Sequence, residues 1–115
     1  MGHSWVEVEI SDLERKKSAK VKAQVDTGVS LTVLPERIAE ELGIEPISGV
    51  STGAGEIKVK RGRAWLKLKG KEDAFPVWIS GFIDKVLLGV VVLESFGFDV
   101  DPATGTLRER PLLLY

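Results

Sequence analysis

The dominant hydrophobic period of this chain is two. A chain written mostly in that period must find a way to hide the edges of its sheet. Trp5-Val6-Glu7-Val8-Glu9-Ile10 alternates apolar and polar residues, as a half-buried strand does. Residues 19–25 repeat the pattern with Val21, Ala23 and Val25 on one face, and the charged stretch 11–17 between the two reads as a hairpin turn. Residues 57–60 and 64–68 read as two further strands. Residues 75–79 read as another, and Pro76 predicts an edge for it, because proline cannot donate to a ladder. Asp101-Pro102-Ala103-Thr104-Gly105 signals a turn before a strand at Thr106-Leu107. Only two segments read as helix. Residues 35–42 open with proline, space Ile38 and Leu42 four apart, and stop at Gly43. Residues 90–96 form a second, shorter candidate, although β-branched residues crowd it. Many short strands with one or two short helices predict an all-β fold closed into a barrel.

Composition narrows the chemistry. The 115 residues are ordinary for one soluble domain spanning 1–115, with 43% hydrophobic and 29% charged, and no repeat or linker interrupts them. The net charge is -1 and the basic residues are scattered, so no nucleic-acid partner is predicted. Absence of cysteine excludes disulfides and thiol chemistry, and a lone His3 cannot build a zinc site or a Ser-His-Asp triad. No metal and no cofactor is therefore predicted, and a hydrolase made from this chain would have to work with carboxylates. Residues 1–15 lack the apolar core of a signal peptide, and the runs 86–88 and 90–93 are too short to cross a bilayer. No membrane span is expected, and the cytoplasm is the default compartment.

Asp26-Thr27-Gly28 directly follows the second apolar strand. Taken alone, it is an ordinary strand-ending turn. Its surroundings argue otherwise. Residues 29–34 (Val-Ser-Leu-Thr-Val-Leu) continue apolar at alternate positions, and a surface turn rarely has apolar strands on both sides. Asp26 is thereby expected at the end of a rigid strand, carried toward a buried centre.

Asp-Thr-Gly-x-Ser-x-Thr-Val-Leu, residues 26–34, resembles the active-site segment of the retropepsin-like aspartic proteases. Two further blocks match in order. Thr52-Gly53-Ala54-Gly55-Glu56-Ile57-Lys58-Val59 is similar to the glycine-rich flap hairpin of that family, placing a flap at about 49–60. Residues 81–89, ending in Leu87-Leu88-Gly89, resemble its apolar-apolar-Gly segment, which packs behind the catalytic loop. Residues 88–107 look like the C-terminal part of cellular rather than viral members. There are departures from the viral pattern. Val90-Val91 stands where viral members carry an Arg-Asn pair, and Ser30 where they carry an acidic residue that binds substrate backbone.

The resemblance implies an aspartic endopeptidase. Such chemistry uses a water between two carboxylates that share one proton, one acting as base and the other as acid. Asp12, Asp73, Asp84, Asp99 and Asp101 are not followed by Thr-Gly or Ser-Gly, so this chain supplies one carboxylate, Asp26, and a homodimer is required. The implied roles are these. Asp26, Thr27 and Gly28 are catalytic, with Thr27 bonding across the dimer axis and Gly28 allowing close approach and unusual φ. Thr52, Gly53, Ala54 and Gly55 form the flap tip. Ser30, Val33, Phe82, Ile83 and Leu87 contact a peptide or protein substrate. Pepsin-like enzymes carry Ser where this chain has Val29; valine cannot donate to the carboxylates, which predicts activity at mildly rather than strongly acidic pH. The apolar end 111–115 is either a last barrel strand or a strand shared across the dimer. Two other readings compete: the same fold used as a dimerisation or peptide-binding module with little proteolysis, and an unrelated small β-barrel whose Asp-Thr-Gly is a turn.

Overall fold

Closure settles the edge problem posed by the alternating pattern. The computed structural model describes the backbone of residues 4–52 and 55–110, and their side chains outside 48–58. In chain order it comprises β1 (Trp5–Ser11), β2 (Ser18–Val25), β3 (Thr32–Pro35), α1 (Glu36–Glu41), β4 (Ser48–Thr52), β5 (Gly55–Leu68), β6 (Lys71–Ser80), β7 (Val86–Leu88), α2 (Val90–Phe96), β8 (Phe98–Val100) and β9 (Leu107–Glu109). The strands run in the order β1-β2-β7-β3-β6-β5-β4, and β1 pairs with β5 as well. Six strands thus form a ring, closed by Glu9, Ile10 and Ser11 opposite Lys67, Leu66 and Trp65. β4 lies outside the ring and, among the described residues, pairs with β5 alone. No described helix is long and apolar enough to cross a membrane.

The alternation maps onto the barrel wall. Val8 and Ile10 of β1, Leu66 and Leu68 of β5, Val77 of β6 and Leu88 of β7 are buried in one cluster. Their strand neighbours Glu7 and Lys67 face outward, and Lys67 pairs on the surface with Glu72, opposite it on β6. Helix α2 closes one side with Val92, Leu93 and Phe96, the last set edge-on to Phe75 at 5.2 Å. Burying a side chain of this size is worth about 2 kcal/mol each, so this cluster is the main reason the ring holds.

Local sequence explains the turns. Ser11 and Ser18 face each other across the β1–β2 hairpin, and the Asp12 carboxylate accepts the amides of Lys16 and Lys17 at 2.8 and 3.0 Å. Lys69 and Gly70, both at positive φ, make the two-residue turn between β5 and β6. Arg108 holds the β8–β9 hairpin by bonding Asp99 at 2.7 Å, and the Asp99 carboxylate pushes the guanidinium pKa up.

Three expectations change. Residues 57–60 and 64–68 belong to one continuous strand, β5, not two. Gly62, between those two segments, is a packing point: a Cβ there would meet Ile79 Cδ1 at 2.9 Å. β6 is not an edge strand, because β5 and β3 flank it. Pro76 is tolerated because β3 joins only from Val77 onward, so at Pro76 the ladder is one-sided. The strand expected at Thr106-Leu107 runs from Leu107 to Glu109 and pairs with a strand at 98–100 that the sequence reading did not name.

Candidate active site

The site is created by one topological fact: β7 is inserted between β2 and β3. β2 runs parallel to β7, with Val25 opposite Leu88, and β3 runs antiparallel to it, with Val33 opposite Leu87. The segment 26–31 that joins β2 to β3 must therefore pass over the end of β7, where α2 begins. Hydrogen bonds fasten it there. Asp26 donates its amide to Leu88 O at 3.1 Å. Val90 and Val91 donate theirs to Val29 O and Ser30 O, each at 3.0 Å. These two amides belong to the first turn of α2, where intrahelical acceptors are lacking, so the loop carbonyls satisfy them. Gly89 makes the approach possible, since a Cβ there would fall 2.5 Å from Ser30 O and 2.6 Å from Leu31 C. Leu87-Leu88-Gly89 thus packs behind the loop, as its sequence suggested.

Asp26 sits at the tip of this assembly. Its Oδ1 accepts the Gly28 amide at 2.9 Å, which fixes the carboxylate against its own loop. Gly28 is needed for proximity rather than for unusual φ, which corrects the sequence expectation. It is not among the positive-φ glycines, and a Cβ there would lie 3.1 Å from Asp26 Oδ1. Nor is Asp26 buried within the single chain. It is half-buried, while Thr27, Gly28 and Ser30 are exposed. The alternation in 29–34 resolves accordingly. Thr32 and Leu34 face the core, whereas the apolar residues Val29, Leu31 and Val33 stay half-buried.

The remaining candidate residues are placed as follows. Val33 and Leu87 are brought together as direct cross-strand partners, both half-buried. Phe82 and Ile83 lie in the connection between β6 and β7; Phe82 is 71% exposed and Ile83 half-buried. The Ser80 hydroxyl accepts the Phe82 amide at 3.1 Å and sets where that connection leaves the sheet. β4 and β5 form a hairpin with Thr52 opposite Gly55. Its tip residues Gly53 and Ala54 lie outside the described residues, as does the apolar end 111–115. One contributor was given no role in the sequence reading. Thr32 is 1% exposed, and its Oγ1 accepts the Gly89 amide at 3.0 Å. In the sequence it stood only as one matched position of the 26–34 segment, with no role assigned to it.

Comparison with known proteins converges on this arrangement. A family model described as aspartyl protease matches residues 6–92. Among solved structures, a retropepsin-like aspartic protease from Rickettsia conorii superposes with a TM-score of 0.65 at 28% identity, covering 87% of this chain and 77% of that one. The EIAV protease, solved with an inhibitor, gives a TM-score of 0.61 at 17% identity over 98% of this chain and 94% of its own. The retroviral protease-like domain of Ddi1 from Leishmania major gives 0.60 at 22% identity, covering 95% of this chain and 90% of that one. At such identities the last two speak for the fold alone. No curated protein sequence is significantly similar to this chain. With its six-stranded closed barrel, its triplet loop crossing the end of β7 and a family match over most of its length, the chain belongs to the aspartyl protease family and is of the retropepsin-like, cellular type.

Proposed function

We propose that this chain is a homodimeric aspartic endopeptidase whose catalytic pair is Asp26 of each copy. One observation carries the reading. A carboxylate is held at a defined position by the Gly28 amide and by the backbone bonds beneath its loop, yet within one chain it has no second carboxylate bonded to it among the described residues. Thr27 and Gly28 beside it are exposed, leaving the loop open to a symmetric copy. Two such carboxylates about 3 Å apart cannot both ionise, so they share a proton. The ionised one takes a proton from a water, which adds to the peptide carbonyl carbon as the other carboxyl donates to the carbonyl oxygen. The tetrahedral adduct then collapses as a proton passes to the departing nitrogen.

The other roles belong to the same proposal. Thr27 bonds across the two-fold axis. The β4–β5 hairpin, with Thr52, Gly53, Ala54 and Gly55 at and around its tip, acts as a flap over bound peptide. Ser30, Val33, Phe82, Ile83 and Leu87 contact the substrate, whose side chains would cover the exposed ring of Phe82.

Asp26→Asn tests the reading. It keeps the Gly28 amide bond but removes the base, so cleavage of a peptide library is expected to fall at least about 1,000-fold with folding unchanged by circular dichroism. Cleavage that survives the substitution would refute the catalytic assignment. Absent cleavage by the unsubstituted protein, with peptide binding retained, would favour a binding module on the same fold.

A further inference from the structure

The loop that carries Asp26 rests on residues 88–91, and the bonds between the two are almost all backbone to backbone. Asp26 N donates to Leu88 O, Val90 N to Val29 O and Val91 N to Ser30 O. The Gly89 amide is the exception. It lies between these bonds, and the only β3–β7 backbone pairing is Val33 with Leu87, two residues earlier. Its acceptor is a side chain, the buried hydroxyl of Thr32, 57 residues away in sequence. Gly89 also has no lateral freedom, because the carbonyls of Ser30 and Leu31 close over its Cα. A buried amide that loses its only acceptor does not stay in place; the chain moves until water or another oxygen reaches it.

We infer that Thr32 is a positioning residue for the Asp26 carboxylate, acting through Gly89. The hydroxyl pins Gly89 and thereby sets the height of Leu88 O, which holds the Asp26 amide. It also sets the height of Val90 and Val91, which hold the far end of the same loop. A shift of Gly89 is transmitted to both ends of the loop at once. In a dyad this counts twice, since each copy misplaces its own carboxylate. A displacement of about 1 Å in a reacting group is enough to cost about 100-fold in rate. The kinetic consequence rests on the peptidase reading above; the structural one does not.

The test pairs Thr32→Val, which keeps the shape and loses the acceptor, with Thr32→Ser, which keeps the acceptor and loses a methyl. In Thr32→Val, kcat is expected to fall about 10- to 100-fold with KM within about twofold, and Thr32→Ser is expected to rescue it. Amide hydrogen exchange reads the same event without catalysis. In Thr32→Val the Asp26 amide is expected to exchange at least about tenfold faster relative to Leu66 in the barrel wall, although its own acceptor is untouched. Three results would overturn the inference: a folded Thr32→Val with kcat within about threefold, a Thr32→Ser variant that loses as much as Thr32→Val, or unchanged Asp26 exchange in Thr32→Val. If the unsubstituted protein does not cleave peptides, the peptidase reading fails and exchange still decides the positioning role. If Thr32→Val does not fold, Thr32→Ser decides alone: retained Asp26 protection supports the inference, and its loss refutes it.

Discussion

Around Asp26, single atoms carry the argument. The carboxylate accepts one backbone amide, from Gly28, and the side chain at 29 is an aliphatic one that cannot donate. A hydroxyl at 29 would donate preferentially to an ionised carboxylate and favour release of the proton that a dyad shares. The expected sign is therefore clear. In Val29→Ser the acidic limb of the pH–rate profile is expected to move to lower pH than in the unsubstituted protein, for which a mildly acidic optimum is expected. A profile for the unsubstituted protein that already peaks at strongly acidic pH, or a Val29→Ser limb that moves upward, contradicts this. Asp26 and Gly28 were legible in the sequence because the triplet is contiguous. The role of Thr32 was not, since its partner Gly89 is remote along the chain and only the insertion of β7 brings them together.

Among elements, the junction of β7 and α2 matters most, because the loop that carries Asp26 lies directly on it. Gly89→Ala would drive a methyl group into the backbone of Ser30 and Leu31, which cannot rotate away. Its expected cost is about 3 kcal/mol, the upper part of the overpacking range, read as a lower urea midpoint. Gly62→Ala is the informative contrast. There the methyl group meets the end of the Ile79 side chain, which can change rotamer, and strand entropy favours alanine. Its expected cost is about 1 kcal/mol or less. Equal penalties for the two variants would show that the 88–91 junction is not the rigid support described here. Element types were well predicted from the sequence: the 90–96 helix emerged at those residues, and the β1–β2 hairpin at its charged turn. Element limits were less so. Gly62 and Pro76 carry the usual marks of interruption, and both are tolerated for reasons that depend on a neighbouring strand.

For the whole molecule, the question is whether activity belongs to the chain or to a pair. The chain mass is 12.6 kDa, and the dimer reading requires a sedimenting species of twice that under conditions where cleavage occurs. It also makes a sharper demand. When Asp26→Asn chains are mixed with an equal amount of unsubstituted chains and allowed to exchange, activity per unsubstituted chain should fall to about half, since mixed pairs hold only one competent carboxylate. Activity that is indifferent to the added chains would mean that each chain acts alone.

The sequence by itself determined the class of fold, because period-two patterning is a local property written in adjacent residues. It also determined the candidate carboxylate, because the triplet, the blocks 52–59 and 87–89 that accompany it in order, and the exclusion of thiol and histidine chemistry need no three-dimensional information. The tertiary structure alone decided how the barrel closes, with β1 against β5 and β7 threaded between β2 and β3. It alone decided that Asp26 is half-buried rather than enclosed within one chain, and that a threonine 57 residues from Gly89 supports its loop. The physical reason is the same in each case. Strand neighbours and buried hydrogen-bond partners are chosen by long-range packing, and that choice leaves no local periodicity to read.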